Sequence, residues 1–361
     1  MFAKNNNLLQ FDLFNMKEIL ANKKIKHVFG VSSHLAFYLC HKLIQTDAIN
    51  ADDCIFFTTR DYIYPKEYQS VYKNIIRTSY NISPTDGRIF AGWRYWETRK
   101  NVQRFDALID SQLKDSAFVW YTQVCFNDIC SLMVTKPNCV GYYIIEDGSG
   151  SYRRENNPIF TGVKGILYRM VLKPLYPRLF AVKNRMIETN HPKFKGCIAS
   201  NDLCFPLHQQ FTRVVGLPFI SVPLDREPDA IISIDPLFLW ISMTQANEVF
   251  QRLATYINSK NYQYVVYKHH PYTLSASNHE IHQQYNQWLH DYLSIEIEEL
   301  GSDVSLENTL MAHTSDFYTA VSSIAIYAKA MGRTCYSYMN FMRPYTTLSV
   351  PVVEDLCIYT E

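Results

Sequence analysis

Residues 26–44 read KHVFGVSSHLAFYLCHKLI, and their reading decides the fold. KHVFGV is an apolar run of strand length, Ser32-Ser33 supplies turn and cap residue types, and HLAFYLCHKLI has helical apolar spacing. The same alternation continues outward along the chain. CIFFTTRDY (54–62) reads as a strand, FDALIDSQL (105–113) as a helix, FVWYTQV (118–124) as a strand and NDICSLMVT (127–135) as a helix. PNCVGYYIIEDG (137–148) closes the series as a strand. Strands alternating with helices imply a parallel sheet covered on both faces, whose ligands sit at the carboxyl ends of the strands.

The second half repeats the scheme. DAIISID (229–235) is a strand, QANEVFQRLATYINSK (245–260) an amphipathic helix and YQYVVYKHHP (262–271) a strand ending in charge. SLENTLMAH (305–313) looks helical, DFYTAVSS (316–323) is a strand, IAIYAKAMG (324–332) a helix closed by glycine, and TCYSYMN (334–340) a further strand. The expected fold class is therefore α/β of the GT-B type, two Rossmann-like domains with a cleft between them. Residues 1–160 are read as the first domain, 161–228 as a basic connector and 229–361 as the second domain. The boundary is placed near residue 228, where PLDREPD is proline-rich and polar.

Composition narrows the class. A chain of 361 residues exceeds one ordinary core, and 47% apolar with 19% charged residues is a globular balance. A net charge of +1 carries no field that would favour nucleic acid as a partner. The nine cysteines are scattered without a Cys-x-x-Cys pair, so they read as reduced core residues and not as a disulfide frame or zinc site. No signal peptide is expected from MFAKNNNLLQFDLFNMKEIL, and no apolar run approaches the roughly 18 residues of a membrane span. One basic stretch stands out. Thr161 to Met186 carries Lys164, Arg169, Lys173, Arg178, Lys183 and Arg185 with no acid, among apolar and aromatic residues. Such a segment suits an anionic membrane surface. Two core helices with snorkelling cations are the competing explanation.

Three short motifs can carry chemistry, and each has a structural reading beside the functional one. Glu146-Asp147-Gly148 ends a strand; a carboxylate there can serve as general base, or Asp147-Gly148 is simply a turn. Lys268-His269-His270-Pro271 also ends a strand, where His270 can donate to a leaving phosphate and Lys268 can add positive charge. Yet His191-Pro192 repeats the dipeptide in a polar connector. Ser322-Ser323 precedes a helix, as an anion site or as an ordinary N-cap, and Ser32-Ser33 duplicates it. Each alone is more often structural. Their order puts a base on the first domain and a phosphate-binding wall on the second.

The order Glu-Asp-Gly, Lys-x-His-Pro, Ser-Ser resembles the bacterial sialyltransferases of the lipooligosaccharide and capsular polysialyltransferase families, which share D/E-D/E-G, HP and S/S-T motifs on a GT-B fold. The resemblance implies an inverting, metal-independent transfer of sialic acid from CMP-Neu5Ac to a terminal sugar hydroxyl of a bacterial surface glycan. It implies Glu146 as base beside Asp147, with Asp235 in reserve, and His270 as the residue that assists departure of CMP. Lys268, Pro271, Ser322, Ser323 and Gly148 would serve the donor. No cofactor is implied. Neither an Asp-x-Asp motif nor a His/Cys ligand cluster is seen in the sequence, so no metal is required. The acceptor would be lipid-linked, with residues 161–186 holding the enzyme on the inner face of the cytoplasmic membrane, and a homodimer is left open.

Lesser candidates complete the set. Trp93 and Trp96, in GWRYWETRK (92–100), suit an acceptor loop or a hydrophobic anchor; His34 and Ser149 are placed on the acceptor side. His34 also fits helix capping. Glu307 fits either a ribose contact or first-turn dipole complementation. A CMP-Kdo-dependent transferase is the alternative within enzymes. A non-catalytic glycan- or nucleotide-binding protein is the alternative outside them.

Overall fold

A computed structural model describes residues 25–58, 65, 68–77, 92–123, 127–152, 170, 177–182, 187–348 and 351–360. The chain divides into two compact units, Met1–Gly216 and Leu217–Glu361.

The first unit is built on seven parallel strands: β1 (Lys26–Val31), β2 (Cys54–Thr58), β3 (Ile75–Arg77), β4 (Phe118–Gln123), β5 (Cys139–Ile145), β6 (Phe194–Ala199) and β7 (Thr212–Val214). Their order is β3-β2-β1-β4-β5-β6-β7, so the direction of winding reverses between β1 and β4. Every residue of β2 and β4 is buried, as expected for parallel strands covered on both faces. Gly30 is needed in β1, because a Cβ there would lie 2.7 Å from the Trp120 ring. Among the described residues this unit has three helices: α1 (His34–Thr46), α2 (Gly92–Leu113) and α3 (Asn127–Val134). The Ser33 hydroxyl caps α1 by accepting from the Ala36 N–H at 3.3 Å.

The second unit has six parallel strands: β8 (Ala230–Ile234), β9 (Tyr264–His269), β10 (Glu296–Glu299), β11 (Asp316–Thr319), β12 (Cys335–Ser337) and β13 (Ile358–Tyr359). Their order, β10-β9-β8-β11-β12-β13, reverses between β8 and β11. Helices α4 (Met243–Asn258), α5 (His279–Tyr292), α6 (Leu306–Ala312) and α7 (Ile324–Ala330) connect them. A reciprocal capping box of Ser242 and Gln245 starts α4. That helix then buries Ala246, Val249, Phe250, Leu253 and Ile257 in a core shared with Tyr285 and Leu289 of α5.

The structure differs from the sequence reading at several places. The division falls between Gly216 and Leu217 and not near residue 228. Residues 161–228 are not a connector throughout, because β6 and β7 extend the first sheet. Segment 217–228 belongs to the second unit. The Leu224 N–H donates to His313 Nε2 at 2.8 Å, the Glu227 carboxylate pairs with His313 Nδ1, and Ser315 Oγ donates to the Pro228 carbonyl. GWRYWETRK is the opening of α2 and not a loop. The described cysteines are free, and all but Cys357 are buried. No helix among the described residues is long and apolar enough to cross a membrane.

Most of the basic segment lies outside the described residues. Within its described part, Arg178 donates to both Asp106 oxygens at 2.6 and 3.0 Å, and Lys136 joins the same carboxylate at 3.1 Å. Arg178 therefore serves the first unit's own packing, as do the buried Leu179 and Val182.

Candidate active site

In the first unit the carboxyl ends of β1, β4 and β5 are joined by one polar chain. Ser32 Oγ donates to Gln123 Oε1 at 2.6 Å, and Gln123 Nε2 donates to Asp147 Oδ1 at 2.6 Å. The chain crosses the β1/β4 reversal, where open α/β sheets bind ligands. Gln123 is fully buried while Asp147 is half-buried. Gly148 follows in the left-handed region at φ +65°, which glycine adopts without a Cβ penalty, and so turns the chain directly after the carboxylate.

Glu146 is placed differently from its neighbour. It is 0% exposed. Its Oε2 accepts the Ser200 N–H at 2.7 Å, and its Oε1 accepts the Tyr152 hydroxyl at 2.5 Å. Adjacent side chains in an extended segment point to opposite faces, so one acid of the pair turns into the protein as the other faces outward. Ser149 lies in the short 3-10 turn Gly148–Tyr152. His34 opens α1, half-buried, with its ring stacked on Tyr38 at 6.2 Å. Trp96 is 60% exposed on α2 with the Arg99 guanidinium 5.9 Å from its ring; the Trp93 side chain lies outside the described residues.

In the second unit the His-Pro and Ser-Ser motifs converge on Asp235, just past β8. Its Oδ2 accepts the Thr319 hydroxyl at 3.0 Å and the N–H groups of Ala320 and Val321 at 2.9 and 3.2 Å. The Asp235 N–H donates to the Tyr338 hydroxyl at 3.2 Å, and that hydroxyl donates to the Ser233 carbonyl at 2.9 Å. Asp235 is buried, and the resulting desolvation raises its pKa, opposed first by His270 and then by its N–H donors.

His270 is the next residue after β9, whose His269 lies in register with Ile234. Its N–H donates to the Ile234 carbonyl at 2.9 Å, so the loop leaves the sheet only after it. Its Nδ1 accepts the Tyr272 N–H at 3.1 Å, which puts the proton of a neutral ring on Nε2. The residue is exposed, as is Pro271. The atoms packed around the ring still lower its pKa, while the Asp235 charge acts in the opposite sense.

Ser322 donates its N–H to Thr319 Oγ1 at 3.0 Å and accepts the Ile324 N–H at 3.3 Å, whereas Ser323 makes no side-chain cap. Both serines are half-buried at the β11/α7 turn. Lys268 and Glu307 form a separate cluster. The buried Lys268 ammonium donates to the carbonyls of Val304 and of Ser302, the latter at 3.4 Å, while Glu307 accepts from Ser305 Oγ at 2.8 Å. Burial lowers the Lys268 pKa, opposed by the charges of Glu307 and Asp303. The structure thus gathers Asp235, His270 and Ser322 and leaves Lys268 holding the 302–304 loop.

Sequence reasoning missed Gln123, Thr319 and Tyr338. Gln123 had a signal, a polar residue closing the apolar run FVWYTQ; Thr319 and Tyr338 sit in runs that look like ordinary strand and turn. It also missed a polar cluster on β9, α5 and β10, in which His269, His282 and Glu299 bring ligand-type atoms within 4.8 Å of one another.

No protein-family model and no curated protein matches the chain. Solved structures do. The S. aureus MnaA–UDP co-structure superposes with TM-score 0.51 at 14% identity, covering 87% of this chain and 78% of that one. Os79 from O. sativa in complex with UDP follows at TM-score 0.48, 9% identity and 86% and 80% coverage. UDP-N-acetylglucosamine 2-epimerase from Rickettsia bellii reaches 0.43, at 12% identity and 87% and 79% coverage. With its two parallel α/β units, the fold of this chain is of the GT-B type.

Proposed function

We propose that the chain is a glycosyltransferase using a nucleotide-sugar donor, and more finely a sialyltransferase using CMP-Neu5Ac. The observation that carries this reading is the placement of Asp235 and His270 at the adjacent carboxyl ends of β8 and β9, with the Thr319–Val321 turn donating to Asp235. It gives a nucleotide phosphate both a proton donor and hydroxyl groups.

In this reading the acceptor oxygen forms a bond to the anomeric carbon as that carbon's bond to the CMP phosphate breaks. The electron pair departs on the phosphate oxygen, and His270 Nε2–H donates to it. The acceptor proton passes to a carboxylate base. Asp147 is assigned that role in preference to Glu146, because both Glu146 oxygens already accept buried donors. Asp235 is assigned to His270 as its electrostatic partner. Gln123 positions Asp147 through its 2.6 Å hydrogen bond. The lipid-linked acceptor and the membrane contact of 161–186 belong to the same proposal.

A UDP-sugar is the second reading, favoured by the MnaA structure having been solved with UDP. Release of free nucleotide from CMP-Neu5Ac, CMP-Kdo and a UDP-sugar, measured side by side, separates the donors. His270→Ala must abolish most of that release. Turnover of a UDP-sugar alone removes the sialyltransferase reading, and no turnover of any donor removes the enzyme.

A further inference from the structure

We propose that His269, His282 and Glu299 hold a divalent transition-metal ion of the zinc type, with Asn286 as the residue that orients them. The three come from β9, α5 and β10, one complete strand–helix–strand crossover. Two imidazoles and one carboxylate are a common zinc donor set. Their ligating atoms lie within 4.8 Å of one another. A tetrahedral zinc site needs neighbouring donors about 3.3 Å apart, given metal–ligand bonds of about 2.0–2.1 Å.

The hydrogen bonds of the cluster bring its nitrogen and carboxylate lone pairs together around Asn286. His269 Nε2 lies 2.6 Å from Asn286 Oδ1, and Asn286 Nδ2 donates to Glu299 Oε2 at 2.7 Å. The amide is thereby fixed with its nitrogen toward His282, at 3.2 Å from Nε2. Glu299 Oε1 lies 2.8 Å from the same Nε2. With a proton on His282 Nε2, that N–H and the Asn286 amide donate side by side to the two oxygens of Glu299. Without that proton, two lone pairs face each other at 2.8 Å. A divalent cation takes the Nε2 and carboxylate lone pairs together and offsets the acid's charge.

Burial favours the same conclusion. His269 is 1% exposed, and the side chains of His282 and Glu299 are 21% and 27% exposed, so an ion has a route in and little solvent to compete with it. The rings of His269 and His282 stand perpendicular with centroids 4.7 Å apart, which lets two nitrogens converge without stacking. An ion here would pin β9 to α5 and β10 directly beside His270. The site does not depend on the transfer reaction proposed above.

The test uses the full chain, stripped with chelator and titrated with Zn²⁺ or with Mg²⁺ as control. Uptake is followed by elemental analysis and by competition with a chromophoric chelator. The expected result is about one tightly bound Zn²⁺ per chain, no comparable Mg²⁺ binding, and a Zn²⁺-dependent rise in the unfolding temperature. His282→Ala and Glu299→Gln should each weaken Zn²⁺ binding at least about tenfold, while the exposed His290→Ala on the same helix leaves it unchanged. No stoichiometric uptake by the wild-type chain, or uptake as tight in both variants, overturns the proposal. Should a variant not fold, Co²⁺ added to the wild-type chain decides. Intense visible bands of a low-coordinate nitrogen and oxygen site support the assignment; a spectrum like aqueous Co²⁺ overturns it.

Discussion

Asp235 and His270 leave adjacent parallel strands at the same level, a buried carboxylate next to an exposed imidazole, and each shifts the other's proton affinity. Neither needs the other for its main-chain position. The His270 N–H is held by Ile234, while Asp235 is held by Thr319, Ala320 and Val321. Their pairing is a product of register.

Substitution of His270 separates catalysis from folding. His270→Ala removes an exposed ring whose Nδ1 accepts the Tyr272 N–H, so thermal stability should change by less than about 1 kcal/mol. Nucleotide release should fall about 10²- to 10⁴-fold. Stopped-time release assays beside calorimetry check both; equal turnover removes the assigned role.

The two acids of Glu146-Asp147 should behave oppositely. Glu146→Ala strands the Tyr152 hydroxyl and the Ser200 N–H without their acceptor, and should cost about 2–4 kcal/mol of stability. Asp147→Asn keeps an oxygen for Gln123 and should cost under about 1 kcal/mol, while transfer falls at least about a hundredfold. Denaturant unfolding and transfer rates on the pair decide which acid is the base.

Lys268→Met tests a structural cation. The carbonyls of Ser302 and Val304 lose their donor, so stability should fall by about 1–3 kcal/mol, with the donor KM unchanged in the folded fraction. A large KM rise at unaltered stability would place the ammonium on the donor instead.

Acid should weaken the first unit through His27 and His41. Burial lowers both pKa values in the folded protein, against the carboxylates Asp53 and Asp47 at His27 and with help from Lys42 at His41. The neutral rings therefore contribute stability that is complete above the unfolded value of about 6.5 and is lost as pH falls through the lower folded values. Urea unfolding between about pH 7 and about pH 5 should show the decline, and His41→Gln should flatten it.

Charge reversal at Arg169 and Lys173, both outside the described residues, should release the protein from anionic vesicles if 161–186 is interfacial. Arg178 cannot report on this, because its guanidinium is committed to Asp106. Vesicle co-sedimentation that persists after reversal removes the membrane role.

The alternation of strand and helix was readable from residues alone because buried parallel strands are continuous apolar runs: CIFFT and FVWYTQ announce themselves. β10, with sequence EIEE, did not, since a sheet-edge strand tolerates charge on exposed positions. Nor did β6 and β7, which lie in the stretch read as a connector. Glu146-Asp147, His270 and Ser322-Ser323 were visible as strand-end polar residues. Composition and spacing thus determined the fold class and the strand ends that carry polar chemistry. Which acid faces outward, which lysine is consumed by a loop, and that His269, His282 and Glu299 meet were decided only by tertiary structure. Those outcomes depend on side-chain direction and strand order, and residues 13 to 84 positions apart become neighbours only when the sheet closes.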